Sequence, residues 1–425
     1  MPQKQRKSFK IVTLGCRTNQ YESQAYQDQL AAMGYSQAQE DDVPEICIVN
    51  TCTVTESADA SSRHQIRQLA KRYPKAKLVV TGCSADRQPD AIAQLEGVDL
   101  VVPNKEKEKL LEQAFPEEKY PEFSIKRFEA HTRAFVKVQD GCNSFCSYCI
   151  IPYVRGRSRS RTIEEIVQEV QTLVENGYKE VVITGINVGD FDGNCPDAPK
   201  TLADLMRSVD AVPGLRRLRL SSIDPDEVDD DLADAILNGK HTCKSMHIVL
   251  QSGSNVVLKR MNRKYTRQIF FDTVERMRSA CPDFTFTTDL IVGFPGETEA
   301  DHRDTLDAIK RAQFAKVHMF PYSDRPRTKS ALMPNKVHPD VIRRRKQEVM
   351  RHSEKEAFSL REQFIGREMT ILTESGDRSR PEEISGHTDN FLPVWIPREG
   401  RRPNELINVK LKENAPDGFI GEVIA

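Results

Sequence analysis

Three closely spaced cysteines in the middle of the chain are the residues best suited to chemistry. Cys142, Cys146 and Cys149 form the pattern C-x3-C-x2-C. Three thiolates on one loop can face one metal centre, and a 4Fe–4S cluster held by only three cysteines keeps one iron open for another ligand. A structural zinc site needs a fourth Cys or His nearby, and none stands at the usual short spacing. The pattern therefore favours a 4Fe–4S cluster with an open iron; structural zinc and packed thiols without function are the alternatives.

A second set of three cysteines lies in the first hundred residues. Cys16 follows the segment FKIVTLG, Cys52 follows ICIVNT and Cys83 follows KLVVTG, so each comes just after an apolar, β-branched run. The carboxyl ends of parallel strands meet at one edge of an open sheet, where ligands bind. We therefore expect the three thiols to converge into a second three-thiolate site, with Gly15 and Gly82 allowing the tight turns that it needs.

The remaining four cysteines show no pattern that predicts chemistry. Cys47 lies inside an apolar run, and Cys195, Cys243 and Cys281 belong to no motif, so we interpret all four as packed residues. Ordinary burial in core strands is also the alternative interpretation of the N-terminal set.

Alternating β-rich and helical segments position both sets of cysteines. Up to about residue 113 the alternation is typical of a doubly wound parallel sheet with helices on both faces. From about 134 to 360, six strands with amphipathic helices between them predict a partial or open β/α barrel, in which chemistry takes place at the carboxyl ends of the strands. These six strands are predicted at residues 134–139, 180–184, 216–221, 246–251, 284–291 and 315–320. A long basic helix is predicted at 339–364.

The last sixty or so residues change character. Short strands separated by Gly, Pro and Asp predict a small all-β barrel. The predicted strands are 369–373, 392–396, 406–412 and 418–423. The charged, proline-containing segment 115–132 is typical of a linker. The fold class is therefore α/β, with predicted domains at about 1–115, 130–360 and 362–425.

Length and charge are consistent with this division. A chain of 425 residues predicts about three domains. Lys plus Arg number 62 and Asp plus Glu 63, which excludes a wholly basic nucleic-acid-binding protein but not local basic patches. No apolar stretch approaches the ~18–20 residues that span a bilayer, and no signal peptide precedes the strand-like residues 9–14. We expect a cytoplasmic protein without membrane contact, in which ten cysteines favour metal or redox ligands over disulfides.

The sequence around the central cysteines resembles the radical S-adenosylmethionine (SAM) superfamily, in which SAM chelates the open iron and is cleaved to a 5′-deoxyadenosyl radical. The stretch GCNSFCSYCIIPYVRGRSRSR at 141–161 is similar to the methylthiotransferase family within it. This resemblance implies two 4Fe–4S clusters and SAM as cofactors, the second cluster being an auxiliary one that carries the transferred sulfur. The implied metal ligands are Cys16, Cys52, Cys83, Cys142, Cys146 and Cys149. The C-terminal region resembles a TRAM domain, a small RNA-binding barrel.

Three further motifs match the family at the ends of predicted strands: TGINVG after the second, LQSGS after the fourth and TDLIVGFPGET at the fifth. The resemblance implies that they line the SAM pocket or contact substrate, and a plain β-to-α turn is the alternative for the first. The third motif lacks the Lys-Ser/Thr ending of a phosphate-binding loop. The expected cofactor-binding residues are Gly185, Asn187, Gln251, Ser252, Asp289, Gly293 and Arg157. No catalytic side chains beyond the cluster ligands are expected.

Basic and aromatic residues offer additional contacts. Four arginines alternate after the central cysteines and are suited to a SAM carboxylate or RNA phosphate, or form a solvated charge run. They are Arg155, Arg157, Arg159 and Arg161. The basic run 343–346 is interpreted as a solvated helix face. Phe391 and Trp395 provide either base stacking or packing in the C-terminal barrel.

Members of the family divide by substrate: isopentenyladenosine in tRNA, threonylcarbamoyladenosine in tRNA, or an aspartate of a ribosomal protein. The segment LGCRTNQYES at 14–23 is most similar to the threonylcarbamoyladenosine group, although Arg17-Thr18 replace its usual Lys-Val. SSIDPDEV and FPYSDRPRT agree with that group. We therefore predict conversion of threonylcarbamoyladenosine beside the anticodon to its 2-methylthio derivative. The other two substrates are alternatives, and a non-catalytic iron–sulfur redox sensor is an alternative from another class.

The resemblance also implies partners. The substrate partner is the anticodon arm of tRNA. Reductive cleavage of SAM implies an electron donor of the flavodoxin or ferredoxin type, and methylthiolation implies a sulfur donor. A second SAM supplies the methyl group.

Overall fold

The computed structural model describes residues 7–40, 42–128, 132–374, 376 and 379–424. By packing, the chain forms two compact units. The first comprises Met1–Phe128, Gln139–Arg159 and Ser323–Ala331, and the second comprises Glu129–Val138, Ser160–Tyr322 and Leu332–Ala425. Residues 129–131 of the predicted linker lie outside the described residues. The three predicted domains and their boundaries stay a prediction, because compact packing does not test independent folding.

The first unit contains a five-stranded parallel sheet in the order β2-β1-β3-β4-β5. Its strands are β1 (Ser8–Thr13), β2 (Ser36–Gln37), β3 (Ile46–Thr51), β4 (Lys77–Gly82) and β5 (Leu100–Val102). Its helices are α1 (Arg17–Ala32), α2 (Glu56–Arg72), α3 (Cys83–Arg87), α4 (Pro89–Ala93) and α5 (Leu110–Ala114). This confirms the predicted doubly wound parallel sheet. The short, exposed and polar β2 was not predicted.

The residues of β3 show why the sheet needs helices on both faces. Successive side chains of a strand point to opposite faces. Ile48 packs in one buried cluster with Leu30 of α1, whereas Cys47 and Val49 pack in another with Ile66 of α2. Because every residue of β3 is buried, the strand is stable only when both faces of the sheet are covered, and this leaves the carboxyl edge of the sheet to carry a site.

The central cysteines lie between two very short strands, β7 (Gln139–Asp140) and β8 (Arg159–Ser160), on a segment that also contains helix α6 (Ile151–Val154). By packing, nearly all of this segment belongs to the first unit, although the strand before it and the helix after it belong to the second.

The second unit contains a partial β/α barrel made of two parallel sheets, with strand orders β10-β9-β6 and β11-β12-β13-β14. Its strands are β6 (Ala134–Lys137), β9 (Glu180–Thr184), β10 (Arg217–Leu220), β11 (Ser222–Ile223), β12 (Ser245–Ile248), β13 (Thr285–Val292) and β14 (Lys316–Pro321). The third predicted strand, 216–221, covers β10, and β11 begins just beyond it, with only Ser221 between the two strands. The predicted partial barrel is confirmed.

Helices lie between and after these strands. They are α7 (Ile163–Glu175), α8 (Leu202–Asp210), α9 (Asp230–Asn238), α10 (Asn255–Arg260), α11 (Arg267–Ala280), α12 (Glu299–Ala312) and α13 (Pro339–Glu362). Helix α7 begins after Thr162, whose hydroxyl accepts from the Glu165 amide while the Glu165 carboxylate accepts from the Thr162 amide, both at 3.2 Å. Such a capping box satisfies two backbone donors that a helix start leaves unpaired. No helix in the described part of the chain is both long and apolar enough to cross a membrane.

The predicted basic helix is present as α13, but one of its arginines differs from the expected solvated face. Arg345 is buried and pairs with Glu297 at 3.3 Å and Glu299 at 2.7 Å. The neighbouring Arg343 and Arg344 are exposed, as expected. A single residue in a charged run turns inward because one side of the helix packs on the barrel.

The C-terminal strands form a closed five-stranded barrel in the order β15-β16-β17-β19-β18. They are β15 (Glu368–Thr373), β16 (Glu383–Thr388), β17 (Pro393–Pro397), β18 (Leu406–Ala415) and β19 (Gly418–Val423). The predicted all-β barrel is confirmed, although β16 was missed. At Gly386 of β16 a Cβ atom would lie 2.6 Å from the Leu372 carbonyl oxygen, so close strand packing requires glycine there. Because glycine has no apolar side chain, the sequence of β16 lacks the alternation of apolar residues that predicts a strand.

Candidate active site

The structure brings the three N-terminal cysteines to the carboxyl edge of the sheet in the first unit. Cys52 and Cys83 directly follow β3 and β4, whereas Cys16 lies three residues after β1 and immediately before α1. A Cβ atom on Gly15 would stand 2.9 Å from the Cys52 sulfur, and the φ angle of Gly15 is +97°. Only glycine fits this turn, which allows the backbone before Cys16 to approach Cys52.

The environment of these thiols suits metal ligands. Burial is the main cause that raises the pKa of Cys52 to about 11, and the neighbouring Cys83 and Cys16 add to the rise. Burial also raises the pKa of Cys83. Thiols of this kind stay protonated near neutral pH unless a metal takes the place of the proton. The set therefore has the donor chemistry of a metal site.

A buried network of charges lies beside the N-terminal cysteines. Arg155 is fully buried and donates from Nη1 to Glu22 at 3.0 Å and to Asp140 at 2.8 Å. Lys107 is 1% exposed, contacts the Glu22 carboxylate and pairs with Asp140 at 2.7 Å. Buried charges are stable only when paired, and here two cations face two carboxylates. Of these four residues, only Arg155 was noted in the sequence.

Two atoms of Arg155 connect this network to the cysteines. Nε donates to the sulfur of Cys83 at 3.3 Å, and Nη2 donates to Asn19 Oδ1 at 2.5 Å. The Cys16 sulfur lies 3.8 Å from the same Asn19 oxygen. A donor aimed at a thiol sulfur favours the thiolate, the form that binds iron. These residues fit an anionic cluster ligated by thiolates.

The central cysteines lie on a tightly turned loop of the same unit. The Cys149 amide donates to the Cys146 carbonyl at 3.0 Å, and the Cys142 sulfur accepts from the Ser144 amide at 3.3 Å. Phe145 has a φ angle of 48°, in the left-handed region. All three cysteines are half-buried. The turns hold them on one short loop, as a cluster with three ligands requires.

Two contacts define the surroundings of this loop. Arg157, an expected cofactor residue, places its guanidinium 4.3 Å from the centre of the Phe145 ring. Cys83 of the N-terminal set packs in one buried cluster with Ile150 and Val154, just after the last central cysteine. Both sets of cysteines therefore belong to one region of the first unit.

No group of three or more Cys, His, Asp or Glu side chains within the described ranges is arranged around the position of a single metal ion. In a 4Fe–4S cluster each cysteine binds a different iron, so the sulfurs stand further apart than the ligands of one ion do. Three thiols placed for such a cluster therefore do not form the arrangement that a single ion requires.

The other six expected cofactor residues lie at strand ends of the second unit. Gly185 and Asn187 follow β9, Gln251 and Ser252 follow β12, and Asp289 and Gly293 lie within and just after β13. The Gln251 amide donates to the Asp289 carbonyl at 2.9 Å, and the Gln251 carbonyl accepts from the Ile291 amide at 2.9 Å. Two of the three motifs are thus directly side by side.

Gln251 has two features of a ligand site. Its φ angle is 62°, an unfavourable value for a residue with a side chain. Its side-chain oxygen is buried and has no hydrogen-bond partner among the described residues. Native structures rarely leave such an atom unsatisfied without a bound group or a functional reason. This oxygen fits a polar cofactor.

Asn187 contacts a carboxylate that the motif search missed. Its Nδ2 donates to Glu227 Oε1 at 2.9 Å. Burial is the main cause that raises the pKa of Glu227 to about 7, and the charge of Asp224 adds to it. Both acids belong to SSIDPDEV, which was used only to compare family groups. A pair of acids at the end of the third strand was the available signal.

A histidine beside Asp289 was also missed. His247 places Nδ1 at 2.8 Å from the Thr287 hydroxyl and Nε2 at 3.4 Å from Asp289. The ring of His318 lies 5.9 Å from that of His247. These side chains come from β12, β13 and β14 and make the strand ends around Asp289 polar.

The remaining expected cofactor residues have structural partners. The Gly293 amide donates to Glu297, and a Cβ atom on Gly293 would lie 2.4 Å from Ile342 of α13. Ser252 is buried and accepts from the Ser254 amide at 3.2 Å. Their contacts explain why these residue types stand there, and their roles in cofactor binding stay predictions.

Two family models match the chain: the Radical SAM superfamily over residues 136–309 and the Uncharacterized protein family UPF0004 over residues 8–103. The Threonylcarbamoyladenosine tRNA methylthiotransferase MtaB of Chlamydia pneumoniae is 47% identical over 420 residues and covers 98% of both chains. The protein of that name from Bacillus subtilis is 35% identical over 94% of this chain and 92% of its own. The tRNA-2-methylthio-N(6)-dimethylallyladenosine synthase of Desulfitobacterium hafniense is 34% identical over 97% of both.

Solved structures share the fold at low sequence identity. The radical S-adenosylmethionine methyltransferase TsrM of Kitasatospora setae, solved with cobalamin and a 4Fe-4S cluster, has a TM-score of 0.57 and 16% identity over 77% of each chain. The full-length relatives and the match to the superfamily model agree with the motifs at the strand ends. The chain therefore belongs to the radical SAM family of tRNA methylthiotransferases.

Proposed function

We propose that this protein converts N6-threonylcarbamoyladenosine beside the anticodon of tRNA to its 2-methylthio derivative. The observation that carries the proposal is the presence of two separate cysteine trios in one compact unit. The relative with 47% identity along its whole length bears the name of this activity and supports the choice of substrate. A relative at 34% identity bears the name of an enzyme for dimethylallyladenosine, which keeps that nucleoside as the second candidate.

The cysteines divide between two roles. Cys142, Cys146 and Cys149 would hold the 4Fe–4S cluster that binds SAM, and the N-terminal set would hold the auxiliary one. When bound, these groups supply radical chemistry at C2 of the adenine, a position that acid–base side chains do not activate. This accounts for a site built from ligands and binding groups.

Residues of the second unit would bind and orient SAM. The buried amide oxygen of Gln251 and the carboxylate of Asp289 offer hydrogen bonds to hydroxyl groups, and Asn187 offers an amide held by Glu227. Gly185, Ser252 and Gly293 are further proposed contacts from this unit, and Arg157 is a proposed contact from the first unit. A polar pocket at strand ends is the usual place for a ligand in a β/α barrel.

The partners follow from the substrate. The C-terminal barrel and the barrel of strands β6 to β14 would bind the anticodon arm of tRNA. Trp395, with the Arg380 guanidinium 4.5 Å from its ring, is the better candidate for base contact. Phe391 is stacked on His387 with ring centres 4.6 Å apart, which favours packing. An electron donor of the flavodoxin or ferredoxin type, a sulfur donor and a cytoplasmic location complete the proposal.

Mass spectrometry of tRNA nucleosides from cells lacking this protein tests the substrate. We expect loss of 2-methylthio-threonylcarbamoyladenosine, restored when the gene is returned. Loss of the 2-methylthio-isopentenyl nucleoside would establish the second candidate instead. Unchanged tRNA would leave a ribosomal-protein substrate or a redox sensor as the explanation.

Replacement of Cys146 tests the division of roles. We expect Cys146→Ala, reconstituted without oxygen, to hold about four irons where the wild type holds about eight. It should produce no 5′-deoxyadenosine from SAM and a reductant, whereas Cys195→Ser, outside both trios, should match the wild type in both measurements. Production of 5′-deoxyadenosine by Cys146→Ala would contradict the assignment, and about four irons in the wild type would contradict the second cluster.

A further inference from the structure

We infer that Arg155 is a positioning residue for the N-terminal cysteines: its guanidinium hydrogen-bonds the sulfur of Cys83 and sets the reduction potential of the metal cluster held there. The inference rests on the proposed function, in which Cys83 is a cluster ligand. Arg155 lies outside both cysteine patterns, and neither pattern indicates that an arginine contacts a ligating sulfur.

The guanidinium group is fully occupied, and this fixes its orientation. Nε donates to Cys83 at 3.3 Å, Nη1 donates to Glu22 at 3.0 Å and to Asp140 at 2.8 Å, and Nη2 donates to Asn19 at 2.5 Å and to Glu22 at 3.4 Å. Arginine has five N–H donors in one plane. With four other directions held by oxygen atoms, the fifth N–H can point only at the sulfur.

Lys107 makes this arrangement rigid. It contacts the same two carboxylates, Glu22 and Asp140, and is itself buried. Arg155 would have to leave both carboxylates to turn away from Cys83, and unpairing buried ions is strongly unfavourable. Arg159 also pairs with Asp140, so three cations contact the two carboxylates of this network. A thiolate at Cys83 is a further negative charge, and the Nε–H faces it directly.

A hydrogen bond to a ligating sulfur changes the redox equilibrium of a cluster. Hydrogen bonds to the sulfurs and nearby charge are among the main determinants of iron–sulfur potentials. Reduction adds negative charge, so a fixed cationic donor stabilises the reduced form and raises the potential. Arg155 also reaches the neighbourhood of Cys16 through Asn19, whose Oδ1 lies 3.8 Å from the Cys16 sulfur. The direct hydrogen bond is therefore to Cys83, and at Cys16 the guanidinium acts only as a nearby charge.

The position of Arg155 in the sequence gives the contact a second consequence. Arg155 stands six residues after Cys149, and Asp140 stands two residues before Cys142. Both ends of the segment that carries the central cysteines are thus fixed in the network that contacts Cys83. The geometry of one trio constrains the other through these buried ions.

The test measures a potential in full-length protein that retains only the N-terminal site. We would replace Cys142, Cys146 and Cys149 by Ala, reconstitute without oxygen, and titrate the remaining cluster with reductant while recording its paramagnetic resonance. Arg155→Lys in this background keeps the positive charge and removes the N–H that faces Cys83. Arg159→Lys is the matched control, because Arg159 pairs with Asp140 at 3.0 Å and is half-exposed.

We expect Arg155→Lys to lower the equilibrium constant for reduction at least tenfold, a downward shift of at least about 59 mV for a one-electron couple. Arg159→Lys should leave the potential unchanged. A smaller shift in Arg155→Lys, or an equal one in the control, would overturn the inference. If the background protein bound no iron while the wild type did, the proposed second cluster would fail, and the inference with it.

A measurement without any change at Arg155 covers the case in which Arg155→Lys does not fold. Protein with intact Arg155 is labelled with nitrogen-15 arginine in the same cysteine-free background, reduced, and studied by pulsed paramagnetic resonance. We expect a nitrogen-15 coupling from an arginine hydrogen-bonded to the cluster. Its absence in a protein that binds about four irons would overturn the inference and leave the proposed function standing.

Discussion

A buried carboxylate in the second unit allows a sharp test of the structure. Glu180, the first residue of β9, is fully buried and is surrounded by three arginines. Arg133 and Arg219 approach it at 2.9 Å and Arg217 at 3.6 Å. Burial alone would raise the pKa of Glu180, but Arg219 and Arg133 outweigh it and lower the pKa from 4.5 to about 2.

The pKa gives the size of the effect. A fall from 4.5 to about 2 corresponds to ~3.4 kcal/mol of folding free energy at neutral pH, at 1.36 kcal/mol for each pKa unit. Loss of one partner from a buried ion pair independently costs about 3–5 kcal/mol. We therefore expect Glu180→Gln to destabilise the second unit by about 3–4 kcal/mol at pH 7, because it leaves arginines buried without their shared carboxylate.

The pH dependence of the stability difference between wild type and Glu180→Gln tests the direction of the pKa shift. A carboxyl whose pKa is lower in the folded state stabilises the protein above its unfolded pKa, and this stability is lost as the pH falls through the folded value. The difference between wild type and variant should therefore shrink by about 1 kcal/mol between pH 7 and pH 4. Trp395, the one tryptophan of the sequence, reports unfolding by fluorescence from the C-terminal barrel of the same unit.

The control is Glu175→Gln, because Glu175 is exposed at the end of α7, where its carboxylate accepts a hydrogen bond from Gln171 at 3.0 Å. It should change stability by no more than about 0.5 kcal/mol. A cost below about 1 kcal/mol for Glu180→Gln, or a difference that grows as the pH falls, would refute the account of this ion cluster.

Two further substitutions, Glu227→Gln and Gly82→Ala, are expected to change stability in opposite directions. Burial raises the pKa of Glu227 from 4.5 to about 7, so its contribution to stability is present below pH 4.5 and is lost as the pH rises through 7. Glu227→Gln should therefore raise stability by about 3 kcal/mol at pH 8.5 and by less than about 1 kcal/mol at pH 5, measured by thermal unfolding; the exposed Asp226→Asn should change stability little at either pH. Gly82→Ala would place a Cβ atom 2.5 Å from the Thr51 carbonyl oxygen, whereas Gly34→Ala, with a similar positive φ, meets no atom within 4 Å. Both variants bear the strain of the left-handed backbone, at ~1–2 kcal/mol, but only Gly82→Ala should also lose iron from the N-terminal site, and equal iron in the two would contradict the clash.

The strands that carry the site were predictable because their sequences are unambiguous. Runs such as ICIV and LIV are apolar and mostly β-branched at consecutive positions, and a cysteine or a polar motif of the site follows each within a few residues. Strand β16 was missed because its buried positions include Gly386 and Thr388, which give no apolar alternation. The local sequence pattern therefore predicts the strands that position the site wherever those strands are built from apolar residues.

The charged groups around the cysteines could not be predicted in the same way. Lys107 lies in the run KEKEK, which is typical of a solvated face, yet it alone in that run is almost fully buried beside Glu22 and Asp140. Its partners come from positions 85 and 33 residues away. A buried ion network is specified by tertiary contacts between distant residues, and each member taken alone resembles a surface residue.

The first unit is assembled from three separate stretches of the sequence, and this determines how the gene can be cut. Arg155 and Asp140 come from the second stretch, and Arg325, which pairs with Asp59 at 2.6 Å, comes from the third. An expression fragment ending near residue 115 would leave Glu22, Lys107 and Asp59 buried with half of their counter-ions missing. Such a truncation is expected to yield aggregated protein. Transfer of the cysteine-bearing first unit to another protein would require all three stretches of the sequence to be transferred.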